Sequence, residues 1–187
     1  LALWMVKYYV NEYGFDLAHA GFLAMCFSLP GGVLRAFGGY LSDKFGALKV
    51  TWAVMWVCWI AFFVLSYPQT NLTIQTTRGP VDMHIGLNAT LFTIILFGVG
   101  IAMAVGKASV FKFISDEFPK DIGAVSGAVG LAGGLGGFFL PIMFGALVDL
   151  TGVRSTSFML LYGTVCVSLV WMYFSFRDVR NRQIKAA

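Results

Sequence analysis

An all-α, polytopic membrane helical bundle is the fold class this sequence predicts, from its composition, its five long apolar stretches and the placement of its charges. Hydrophobic residues make up 58% of the chain and charged residues only 12%, with a mean hydropathy of +0.79, well outside the balance of a water-soluble domain. Each of the five stretches is long enough to cross about 30 Å of hydrocarbon as a helix. The ionisable residues gather at the ends of those stretches, as the cost of burying charge in lipid requires. Net charge is +4, but the basic residues form no amphipathic stripe, so nucleic acid is not expected as a partner. Cys26, Cys58 and Cys166 each lie inside an apolar stretch without CxxC spacing, which argues against a metal site or a disulfide framework. No enzyme motif or cofactor signature is found.

Residues 1–10 are too short to span the bilayer at ~1.5 Å per residue and read as the end of a truncated helix. The chain opens on Leu1 without a charged leader or a small-residue cleavage site, so it is expected to be a fragment whose N-terminal part is missing. NEYGFD (11–16) is the first turn, and residues 17–41 form the first full span. Within that span, Pro30 followed by Gly31 and Gly32 predicts a kink or local unwinding. SDKFGALK (42–49) is expected as a short charged loop. The second span, 50–67, is rich in tryptophan and stops at Tyr67-Pro68, and residues 68–86 form the long polar connection.

The third span, 87–114, is interrupted by Lys107. SDEFPKD (115–121) comes next as a short loop whose acidic residues suit the positive end of the next helix. That helix covers 122–148 and is punctuated by Pro141; residues 149–154 turn the chain into the last span, 155–176, before a basic tail. Lysines and arginines concentrate beside the 42–49 and 115–121 loops and in the tail, against Arg78 and Arg154 on the other side. The positive-inside rule therefore places the first side and the C-terminus in the cytoplasm. Asn71-Leu72-Thr73 and Asn88-Ala89-Thr90 fit the N-glycosylation pattern, which chance explains equally well.

Residues 123–141, GAVSGAVGLAGGLGGFFLP, spend seven glycines on a membrane span, although glycine costs a water-exposed helix roughly 1 kcal/mol against alanine. Gly123, Gly127, Gly130, Gly134 and Gly137 recur at alternating steps of four and three and share one face, which Gly133 and Gly136 widen. The result is a smooth groove that admits either another helix backbone or a small solute.

Arg35 sits roughly 9 Å inside the expected end of its span. An embedded arginine either snorkels to the headgroups or marks a solute path, and the nearby Pro30, Gly31 and Gly32 favour a widened cavity. Its planar fork of donors suits an oxyanion better than a cation or a sugar. Lys107 is similarly embedded; it lines the same path, snorkels, or pairs with a carboxylate elsewhere. GVGIAMAVGKAS around it is not a phosphate loop, because its glycine is misplaced, Ala108 follows the lysine and no strand precedes it. Every Asp and Glu falls at a span end or in a loop, so no carboxylate stands ready to relay protons across the membrane. His19 and His84 also lie near span ends, which disfavours a bis-histidine haem subunit.

GYLSDKFGALK (39–49) resembles the loop signature of the major facilitator superfamily, G-x-L-x-D-R/K-x-G-x-x-K/R, which joins the second and third helices of each six-helix half and does so here. Together with LPGGVLRAFGGYLSD and the glycine helix, it makes the chain resemble the C-terminal half of a nitrate/nitrite transporter of that superfamily. The resemblance implies half of a twelve-helix carrier in a bacterial inner membrane, working by alternating access, with nitrate or nitrite and the missing N-terminal half as partners. It further implies that Arg35 is one of two arginines clamping the anion, that Gly127 and Gly130 lie nearest the solute, and that Asp43 bridges a gating loop to the other half. The family's aromatic solute contacts on the first helix of this half fall upstream of Leu1.

The candidate substrate-binding residues are thus Arg35, Gly127, Gly130, Gly134 and Lys107; the candidate gating and structural residues are Asp43, Lys44, Gly39, Gly46 and Pro30. A monoanion between two arginines leaves surplus positive charge, which disfavours reorientation of the empty carrier and points to nitrate/nitrite exchange. The rivals are proton-coupled nitrate uptake and a non-transporting helical scaffold or receptor.

Overall fold

The computed structural model describes residues 1–28, 30–77 and 79–186. In chain order the elements are α1 (Ala2–Tyr13), α2 (Leu17–Ser28), α3 (Pro30–Phe45), α4 (Ala47–Leu65), β1 (Thr70–Thr76), β2 (Gly79–Ile85), α5 (Ala89–Glu117), α6 (Ile122–Thr151) and α7 (Thr156–Ala186). Leu17–Phe45, α4, α5, α6 and Thr156–Arg177 are long and apolar enough to cross a membrane. All five expected spans thus fall on helices. The kink expected at Pro30 falls at residue 29 and the Pro30 ring, outside the described residues.

Two connections differ from expectation. Residues 42–49 are not an open charged loop: α3 continues through Ser42, Asp43 and Lys44 to Phe45, and α4 starts at Ala47. The Ser42 hydroxyl donates back to the Gly38 carbonyl at 2.8 Å instead of breaking the helix. Gly46 alone reverses the chain, at φ +89°, a conformation that side chains with a Cβ rarely adopt. The second difference is the polar connection 68–86, most of which is an antiparallel hairpin. Its register places Leu72 opposite Met83 and Ile74 opposite Val81 on one face, because side chains alternate along strands. On the other face Thr73 donates to Asp82 at 2.6 Å. The sequence reading missed it because period-two alternation over seven residues is weak beside the polarity of the segment. Asn88, one of the two sequon asparagines, caps α5 by accepting from the Thr90 amide at 3.3 Å.

Helix α5 is the axis of the bundle, packed against α3 and α4 and burying Phe92, Leu96, Val99, Ala102, Val105 and Ser109. At the hairpin end, α1 joins it through aromatic rings: Tyr8 stacks on Phe92 at 4.8 Å and meets Phe158 edge-on at 5.3 Å. Pairs of this kind contribute about 0.5–1.5 kcal/mol beyond their area. The Tyr9 hydroxyl also bonds Thr93 at 2.6 Å, and Arg154 holds Glu12 at 2.8 Å. Trp59 stacks on Tyr162 at 5.3 Å and ties α4 to α7. Helix α6 is the exception, with Phe144 its one buried residue among those described.

Candidate functional site

The site begins with two parallel helical faces. Phe27 lies near the end of α2, Gly31 and Arg35 are four residues apart on α3, and Gly100, Met103, Ala104 and Lys107 follow at three- and four-residue steps along α5, so the residues of α3 and those of α5 each lie on one side of their helix. The seven residues line a chamber of about 170 Å³. Arg35 and Lys107 thus share one small space, and no carboxylate among the described residues lines it. Both side chains are exposed at the surface of this chain. A larger apolar groove of about 530 Å³ lies between α4, α5 and α7, but among the described residues its lining has no basic side chain to attract an anion.

Two like charges lining one cavity repel each other, so other contacts must hold the helices that carry them together. Backbone packing supplies it. A Cβ on Gly38 would lie 2.8 Å from the Val105 Cα and 3.0 Å from the Ala108 Cβ, so α3 and α5 approach there as closely as their main chains allow. A Cβ on Gly106 would lie 2.8 Å from Val54 Cγ1, so a side chain of α4 packs directly on α5 there. Across the same interfaces Thr51 and Ser109 hydrogen-bond at 2.8 Å. Nearer the Gly46 end, Lys112 pairs with Asp43 at 3.0 Å and with Asp116 at 3.1 Å. Because α3 runs on to Phe45, roughly 15 Å of helix rise separates Arg35 from its end.

The remaining sequence candidates are distributed around this core. Gly127, Gly130 and Gly134 do not line the chamber; their face of α6 is open, with no atom within 4 Å of a Cβ built on any of them. Asp43 is engaged by Lys112 within the chain, and Lys44 lies 5.5 Å from the Phe45 ring centre. Gly39 has open space around it, while the close backbone contact belongs to its neighbour Gly38. Gly46 makes the turn. Gly38, Gly100, Gly106 and Phe27 are absent from the sequence-based set. The small residues Ala102, Gly106 and Ser109 along one side of α5 were an available signal for the packing. Outside the spans, the exposed Asp16 accepts from His19, which holds its carboxyl below the ordinary value.

The family model for the Major Facilitator Superfamily matches residues 1–187. A "Probable nitrate/nitrite antiporter NarK1" of Thermus thermophilus is 38% identical over 176 residues, covering 94% of this chain and 40% of that relative. A "Probable nitrate transporter NarT" of Staphylococcus haemolyticus (strain JCSC1435) is 33% identical over 159 residues, covering 85% of this chain and 37% of its own length. The NarT of Staphylococcus aureus (strain JH9) is 30% identical over 170 residues, covering 91% and 39% respectively. The chain therefore spans about two fifths of the length of these relatives.

Proposed function

The chain belongs to the major facilitator superfamily, and on that footing we propose that it is the C-terminal half of a nitrate/nitrite transporter that works by alternating access. The observation that carries this reading is the shared chamber: Arg35 and Lys107 line one cavity of about 170 Å³, with no carboxylate among its described lining residues. A small anion neutralises them better than any other solute class. The guanidinium offers paired donors in a plane, matched to the oxygens of a planar oxyanion, and the ammonium adds a compact point charge. In this reading the open glycine face of α6 meets the N-terminal half, with Gly127, Gly130 and Gly134 keeping backbone within reach of the anion. The halves then rock about the bound ion.

Charge counting favours exchange over proton-coupled uptake. The chamber holds two cations from this half alone, so the empty carrier is burdened by positive charge in the membrane and reorients readily only when loaded. A proton-coupled cycle would need its titratable acid from the other half. The basic asymmetry places the Gly46 end and the C-terminus in the cytoplasm of a bacterial inner membrane, with Asp43 and Lys44 in the inner gate.

The test is nitrate affinity of the complete transporter in liposomes. Arg35→Lys keeps the charge but loses the paired donors. Losing about 1.5–3 kcal/mol of charge-assisted hydrogen bonding weakens binding roughly tenfold to a hundredfold, while the exposed Arg177→Lys leaves it unchanged. Wild-type affinity in Arg35→Lys removes Arg35 from the site. Exchange is checked separately by loading vesicles with nitrite, whose efflux should require external nitrate and ignore an imposed pH gradient.

A further inference from the structure

The chamber's far end, away from the two cations, is closed by an aromatic ring. Phe27 precedes Arg35 by eight residues, on α2, and is half-buried. A Cβ on Gly100 would lie 2.7 Å from its Cε2, 3.0 Å from its Cδ2 and 3.4 Å from its Cζ. These are consecutive atoms of one side of the ring, so the ring lies directly on the Gly100 backbone, in the space that any larger residue would occupy. Phe97, one turn earlier on α5, meets the same ring edge-on, with centroids 6.3 Å apart and planes at 82°. Between this ring and the cations the walls are cut back: Gly31 contributes no side chain, and a Cβ there would meet nothing within 4 Å.

We infer that Phe27 sets which anions fit beside Arg35 and Lys107, and that Gly100 is the positioning residue that lets the ring sit where it does. The inference rests on the anion reading of the chamber and deepens it to a specificity determinant. A volume of about 170 Å³ equals roughly six water molecules' share of liquid, enough for a small planar oxyanion. A bulkier anion of the same charge must press against the ring, which offers no hydrogen bond in return for the hydration lost. Selection is therefore by size at the Phe27 end and by charge at the Arg35 end. Because the atoms nearest Gly100 are the far side of a side chain and not backbone, a methyl added there moves the ring and leaves the helices in place.

The experiment compares nitrate and chlorate, a pyramidal and bulkier monoanion, in the complete transporter reconstituted in liposomes. Phe27→Ala should lower the nitrate-over-chlorate ratio of kcat/KM about tenfold or more, on the scale by which apolar pockets discriminate size. Phe27→Leu should give a smaller shift in the same direction and serves as the readout should the alanine variant misfold. Gly100→Ala should raise the KM for nitrate several-fold with kcat little changed, and adding Phe27→Leu to it should restore the KM. A purely structural role for Gly100 lowers the yield of folded protein without moving these ratios. An unchanged ratio in both Phe27 variants, or no rescue in the double variant, overturns the inference while wild-type nitrate flux keeps the anion reading standing. Absence of nitrate flux in the wild type overturns both.

Discussion

Three glycines of α3 and α5 and the glycines of α6 stand in opposite surroundings. At Gly38, Gly100 and Gly106 a Cβ would come within 2.7–2.8 Å of a neighbouring helix or ring, so these residues are needed by contacts inside the chain. At Gly123, Gly127, Gly130, Gly133, Gly134, Gly136 and Gly137 a Cβ would meet nothing within 4 Å. The same helix exposes Leu131, Leu135 and Phe138. Glycine frequency along a helix therefore does not reveal which kind of glycine is present. Seven glycines leave a face of α6 open, and three scattered ones fix the geometry within the chain.

The sharpest break of this comparison is Gly38→Leu. Its Cβ alone collides with the Val105 main chain, which has no rotamer to relieve it, and overpacking of this kind costs about 1–3 kcal/mol or more. The complete transporter carrying it is expected to lose its monodisperse peak in detergent and with it all transport. Normal stability in that variant would mean that α3 and α5 are not packed as described.

Gly130→Leu is expected to do the reverse. Leucine inserts into a bilayer more readily than glycine and meets nothing in this half, so the thermal unfolding midpoint stays at the wild-type value. On the proposed reading nitrate exchange nonetheless falls to background, because the N-terminal half can no longer approach. Retained flux would show that the groove is not crowded.

Gly106→Ala probes the packed side of the comparison with a smaller effect. The nearest atom, Val54 Cγ1, belongs to a side chain that gives way, so the cost is about 1 kcal/mol, read as a modest fall in the unfolding midpoint. Val54→Ala in the same molecule should recover most of that loss. Failure of the pair to compensate would place the strain elsewhere than at the α4–α5 contact.

Sequence legibility followed the physics of each feature. Spans are set by solvent, since an apolar run of bilayer length has one stable fate in lipid, and so the helices at 47–65 and 122–151 were recognisable to within a few residues without coordinates. The hairpin was not, because its alternating Leu72, Ile74, Val81 and Met83 become a pattern only when the strands pair in register. Arg35 was legible as an embedded charge. Lys107 was legible as one candidate for the same path, but which of its three alternatives holds was not, since the two residues are far apart in sequence.

Local chemistry, readable along the chain alone, thus settled the five helices of membrane-crossing length and the single-faced glycine spacing of α6. Close approach between segments distant in the chain was decided only by the tertiary structure. It brought Arg35 and Lys107 into one chamber, laid Phe27 on Gly100, paired Lys112 with Asp43 and left the α6 groove open. The reason is that lipid supplies little hydrophobic drive between helices. Their arrangement is chosen by where backbones can come within van der Waals distance, a property of pairs of surfaces that neither helix's sequence states alone.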